Sequence, residues 1–233
     1  MPQAATIAIT AMTVTIMADG PALLRLMAWL SPAFPTGAFA YSHGLEWAME
    51  AGDVRSEADL LSWLGTVLRH GTGWSDAILL RAAHAADPAG LAVVAALAAA
   101  AAPGRERQGE TLAQGAAFLA AAAPWQRNAL ADVEGLAYPV AVGALTAAHG
   151  ISADDATAAY LQAFATSLIS AAVRLVPLGQ SAGLRVLAAL EPVITEVASA
   201  TRDATTDDLG GCCFRSDIAA MRHETQYTRL FRT

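Results

Sequence analysis

From Pro21 to about Ala200 the apolar residues recur at three- and four-residue spacing, in stretches that each end at a proline or glycine. That period belongs to helices with one buried face. Leu23, Leu24, Met27 and Leu30 form one stripe that stops at Ser31-Pro32, because proline disfavours helix in the residue before it. Ser56 and Asp59 read as a capping-box start, with Leu60, Leu61, Leu64, Val67 and Leu68 at core spacing up to Gly71. Trp74–Ala86, Leu91–Ala102, Glu106–Ala122 and Tyr138–Ala148 repeat the pattern. Ser152 opens a longer segment whose Tyr160, Phe164, Leu168, Ala171 and Leu175 share a face. The last segment, Gln180–Ala200, contains Pro192, which predicts a kink or break. Only Thr6–Ile16 alternates weakly as a strand would.

The pattern predicts an all-α bundle of roughly nine or ten helices in a single domain. Residues 1–20 read as a disordered extension, with Met12 or Met17 as an alternative start, residues 21–200 as the helical domain and residues 201–233 as a C-terminal docking tail. Of the residues, 55% are hydrophobic, but many are alanine, which favours helix and buries little area, so the helices should approach closely. The run Leu91–Ala102 is too short for a membrane span and is stopped by Pro103. Cys212 and Cys213 are adjacent, a poor arrangement for a structural disulfide, which suits a reducing cytoplasm.

All 14 basic residues are arginine. A Walker-type phosphate loop and a pyridoxal Schiff base both need lysine, so ATP or GTP hydrolysis through such a loop and pyridoxal chemistry are excluded. The net charge of −7, with no continuous basic stripe, argues against nucleic acid.

Three local patterns invite chemistry. Gly179-Gln-Ser-Ala-Gly183 fits a nucleophile elbow around Ser181, with Asp217 and His223 following in esterase order, but an elbow needs a strand where this sequence predicts helix. His223-Glu224 is half of a zinc-protease signature whose second histidine is replaced by Tyr227. Cys212 and Cys213, with His223, could together carry a soft metal, although neighbouring thiolates do not readily share one tetrahedral site.

Two segments differ in kind. In Leu30–Glu46, two prolines and Gly37 stiffen a turn bearing Phe34, Phe39 and Tyr41; these rings either fold into the core or form a rigid contact surface. The tail carries Phe214, Tyr227 and Phe231 among arginines. Such rings left in water cost free energy, so a tail of this kind docks on something.

These two segments, LSPAFPTGAFAYSHGLE from Leu30 and SDIAAMRHETQYTRLFR from Ser216, resemble the urease accessory protein UreF family. Tyr138-Pro-Val-Ala-Val-Gly-Ala-Leu, His149-Gly-Ile and Val176-Pro-Leu-Gly-Gln-Ser-Ala-Gly follow the family in the same order. The resemblance spans about Leu23 to Thr233 and turns the esterase-like pentapeptide into a helix start. It implies an all-α homodimer without catalysis or cofactor of its own. Such a protein bridges UreD (UreH) and the GTPase UreG so that nickel reaches the urease apoprotein. It also implies that Phe39 lies near the dimer and GTPase-binding surface and that Arg229 serves complex formation. Tyr41, His43, Glu46, Arg222, His223, Glu224, Tyr227 and Phe231 are the further interface candidates. Arg105–Glu110 follows the family loosely, and no function is assigned to it. The tail should be mobile alone and ordered when bound. In a desolvated interface Arg229 on a carboxylate, flanked by Tyr227 and Phe231 in apolar pockets, would contribute about 2 kcal/mol or more.

Overall fold

The computed structural model describes residues 20–125, 135–175 and 178–233. The extension at residues 1–19, its alternative starts and the weak strand pattern at Thr6–Ile16 lie outside the described residues, as do Val176 and Pro177. Among the described residues ten α-helices follow in order: α1 (Gly20–Trp29), α2 (Leu45–Glu50), α3 (Glu57–His70), α4 (Thr72–Ala85), α5 (Pro88–Ala100), α6 (Arg105–Ala121), α7 (Tyr138–Ala148), α8 (Ala153–Leu175), α9 (Gln180–Ala200) and α10 (Phe214–His223). No strand occurs among the described residues, and the fold is all-α.

Local chemistry sets the helix starts. The Ser56 hydroxyl accepts the Asp59 amide, while Asp59 turns back to accept the amide of Arg55. Asp87 accepts from Gly90 and places Pro88 in the first turn of α5, where its missing N–H costs nothing. Ser152 caps α8 through the Asp155 amide.

The centre is α7, whose residues from Pro139 to Thr146 are all buried. It packs against α4 so closely that a methyl group on Gly143 would collide with the Leu80 carbonyl oxygen. Alanines supply similar closeness elsewhere, with Ala77, Ala141, Ala156, Ala165 and Ala172 fully inside. Leu80, Leu145, Tyr160, Leu161 and Leu190 fill the space between these approaches. Among the described residues α8 is long and apolar enough to cross a membrane, but half of that window is buried within the bundle, as in a core helix.

Pro192 does not break α9, which continues through it to Ala200. Both Pro192 and Ala188 face solvent, so water can serve the Ala188 carbonyl that loses its helical partner.

The C-terminal tail forms α10 and then a strap, residues 224–233, that returns to the loop before α2.

Candidate docking site

The turn before α2 is built from unusual backbone. Gly37, His43 and Gly44 all have positive φ, at 76°, 59° and 75°. Gly44 has a second reason to be glycine: a Cβ there would lie 2.5 Å from the Ala220 amide nitrogen in α10. This turn and the C-terminal helix therefore meet backbone to backbone. Their contact buries His43, Glu46, Ser216, His223 and Phe231.

Glu46 organises the contact. One carboxylate oxygen accepts the Leu230 amide at 2.8 Å, and the other accepts the Phe231 amide at 3.0 Å and lies 3.1 Å from His223 Nε2. On the far side of the same ring, Nδ1 is 2.8 Å from Glu106 at the start of α6. The second oxygen of Glu106 accepts from Arg229 at 2.6 Å. Gln226 donates to Glu50 at 2.6 Å, and the amides of Arg232 and Ser42 donate to the carbonyls of Ala40 and Thr233, both at 2.8 Å. The Arg174 guanidinium stacks 4.3 Å from the centre of the Phe231 ring and donates to the Phe39 carbonyl. A strap without secondary structure is thus fixed by side chains from α2, α6 and α8.

Beneath it lies a second polar cluster. Thr233 Oγ1 donates to Glu110 at 2.6 Å, Glu110 pairs with Arg107, and His43 Nε2 sits 2.9 Å from Thr72. Burial and the Arg107 charge lower the His43 pKa to about 4, so the ring is neutral at pH 7. Burial pushes Glu110 up, but the Arg107 charge and the neighbouring His43 ring, whose Nδ1 lies 3.9 Å away, outweigh it and hold the carboxyl at about 2. Tyr160 donates to Asp76 at 2.6 Å, and burial raises Asp76 to about 6. Arg107, Asp76 and Thr111 line both of two small cavities, of about 50 and 110 Å³. Their walls have the polar lining that ordered water requires.

Around this buried framework the surface is apolar. Phe39 is 75% exposed, Leu230 76%, and Tyr227 stands fully in solvent. Phe214, Ile218 and Met221 continue the surface along the outer face of α10. Arg222 is exposed, and the Arg229 side chain is 40% exposed beside the strap.

The ten residues singled out from the sequence therefore divide. Phe39, Arg222, Tyr227 and Arg229 reach the surface. Tyr41 and Glu224 are half-buried. His43, Glu46, His223 and Phe231 are enclosed and shape the surface from within. Arg229 finds a carboxylate on its own chain, Glu106, and Phe231 packs under Arg174 instead of facing outward. Sequence reasoning missed Glu106, Arg107, Glu110 and Leu230. A signal for α6 was present: Arg107, Glu110 and Gln114 occupy the helical stripe that continues to buried Phe118, so charged groups stand at core positions.

The alternative chemistries lose their geometry. Ser181 lies in the first turn of α9, after the cap Gly179, and is preceded by helix α8 where an elbow needs a strand. Both nitrogens of His223 are committed to carboxylates, leaving none for Ser181 or for a metal shared with exposed Cys212 and buried Cys213. No cluster of three or more potential metal ligands occurs among the described residues.

Comparison with known proteins agrees with the family resemblance. The family model UreF matches residues 54–191. A urease accessory protein UreF from Bradyrhizobium sp. (strain BTAi1 / ATCC BAA-1182) is 54% identical over 224 residues, covering 92% of this chain and 93% of the relative. Similar proteins of the same name come from Mesorhizobium japonicum, 52% identical and matched over 93% of this chain and 100% of the relative, and from Rhodopseudomonas palustris (strain TIE-1), 51% identical over 91% and 92%.

Proposed function

Because the chain belongs to the UreF family of urease accessory proteins, with a role in urease maturation, we propose that it acts there as a scaffold rather than as an enzyme. In this reading it bridges UreD (UreH) and the GTPase UreG in the cytoplasm and works as a homodimer. Nickel is the cargo of the assembled complex, and the urease apoprotein is its destination. The chain contributes shape and contact surface, while the phosphate chemistry belongs to the GTPase.

The observation that carries this reading is the exposed ridge of Phe39, Tyr227 and Leu230 around Arg229, seated on a buried polar framework. Large apolar side chains held rigidly in solvent gain free energy when a partner covers them, and their ordering cost is already met within the fold. Arg229 adds direction. Its Nη1 is bound to Glu106, and the remaining donors of the guanidinium fork are available to a carboxylate on a partner.

Tyr227→Ala separates docking from folding, since that side chain is fully exposed. In pull-downs with UreD and UreG it should weaken capture by about 2 kcal/mol, roughly thirtyfold, with an unchanged far-UV spectrum. Arg229→Ala should abolish assembly and urease activation while the helices remain. Capture at wild-type affinity by both variants would refute the proposed surface.

A further inference from the structure

We propose that His223 is a charged clasp: an imidazolium held between Glu46 and Glu106 that locks the C-terminal strap in place and sets the position of Tyr227, Arg229 and Leu230. The consequence for assembly rests on the docking reading above; the clasp itself does not.

The chemistry of the contacts fixes the state of the ring. Nε2 and Nδ1 each lie within hydrogen-bond distance of a carboxylate oxygen, at 3.1 and 2.8 Å. Ionised carboxylates only accept, and a neutral imidazole has one N–H, so both bonds form together only in the imidazolium. The ring is wholly buried, and water cannot substitute for either partner. Around it the charges balance, with His223 and Arg229 against Glu46 and Glu106. Glu224 accepts the Glu106 amide and stands 4.0 Å from Arg105, while Arg222, on the same helix as His223, is exposed. Without the ring's charge, as in His223→Gln, Glu46 and Glu106 face one partly exposed arginine, an excess of negative charge around a buried side chain that the fold relieves by opening.

The segment that opens is defined by Glu46. The carboxylate that binds the ring also holds the amides of Leu230 and Phe231, so reorientation of Glu46 releases the strap and the exposed ridge with it. Assembly of the complex is therefore favoured while Glu46 holds both the ring and the strap, and weakens when that contact is broken.

The test uses the free full-length chain. Nitrogen-15 NMR of the His223 ring, assigned by difference from His223→Gln, should show the imidazolium signature at neutral pH. Hydrogen exchange at the Leu230 and Phe231 amides should be at least about tenfold faster in His223→Gln than in wild type. A control that breaks an exposed ion pair elsewhere, Arg185→Gln opposite Glu57, should leave those amides unchanged. If His223→Gln fails to fold, Glu106→Gln gives the same exchange readout from the rim of the seam. A neutral ring at neutral pH, or unaltered strap exchange in the folded variant, overturns the clasp. A charged ring and a protected strap with undiminished capture by both Tyr227→Ala and Arg229→Ala would instead sink the docking reading and leave the clasp standing.

Discussion

The α4–α7 contact and the seam between α2, α6 and the C-terminal strap are both buried, yet they are held by opposite means. At α4–α7 the helices meet through Gly143 and alanines, and the energy comes from dispersion and excluded water. At the seam, Glu46, His223, Glu106 and Arg229 interlock, with Glu50 binding Gln226 beside them. Burying such charges costs several kcal/mol per ion, and only complete pairing offsets it. The apolar contact is insensitive to pH but admits no added bulk, as the close approach at Gly143 shows. The polar seam specifies one arrangement and fails when a partner is missing. The proposed scaffold role would use both: a body that stays folded and an edge held in one arrangement.

The sharpest way to break the comparison is to damage the apolar side. Leu145 lies wholly within α7, and Leu145→Ala should lower global stability by about 2–5 kcal/mol in urea unfolding. The loss should be the same at pH 5 and pH 7, since no titrating group is removed.

A smaller, pH-dependent effect belongs to the polar interior. Burial raises Asp76 from 3.8 to about 6. Between those values the native state keeps a proton that the unfolded chain has released, so this group lowers stability as pH rises through the window. Asp76→Asn retains an acceptor for the Tyr160 hydroxyl and removes the titration. Relative to wild type, its stability should therefore increase from pH 4 to pH 6, by up to about 3 kcal/mol. A constant difference across that range would show that Asp76 titrates alike in both states.

Much of the bundle was legible because its determinants are local. Ser56, Asp87 and Ser152 mark helix starts by short side-chain bonds that need no tertiary context. The closeness of the helices follows from alanine, whose small side chain acts the same way wherever it is buried. Of the kink or break expected at Pro192, the break does not occur, and the exposure that lets water serve the orphaned carbonyl is a tertiary fact. Where the tail lies was not legible for a related reason. Arginine and aromatic side chains in a polar segment look solvent-facing until one knows that Glu46, some 180 residues earlier, supplies acceptors for backbone and ring alike. Both halves of the site stood out as motifs. What the chain did not display was that they are partners of each other.

That partnership is the centre of the account, and amide exchange of the isolated full-length protein tests it most directly. The amides of Leu230, Phe231 and Arg232 bond to Glu46 and to the Ala40 carbonyl, and should be protected from exchange well beyond an unstructured chain before any partner is added. Exchange of these three amides at unstructured rates in the free protein would contradict the account, because the docking ridge would then be made by its partner rather than by this fold.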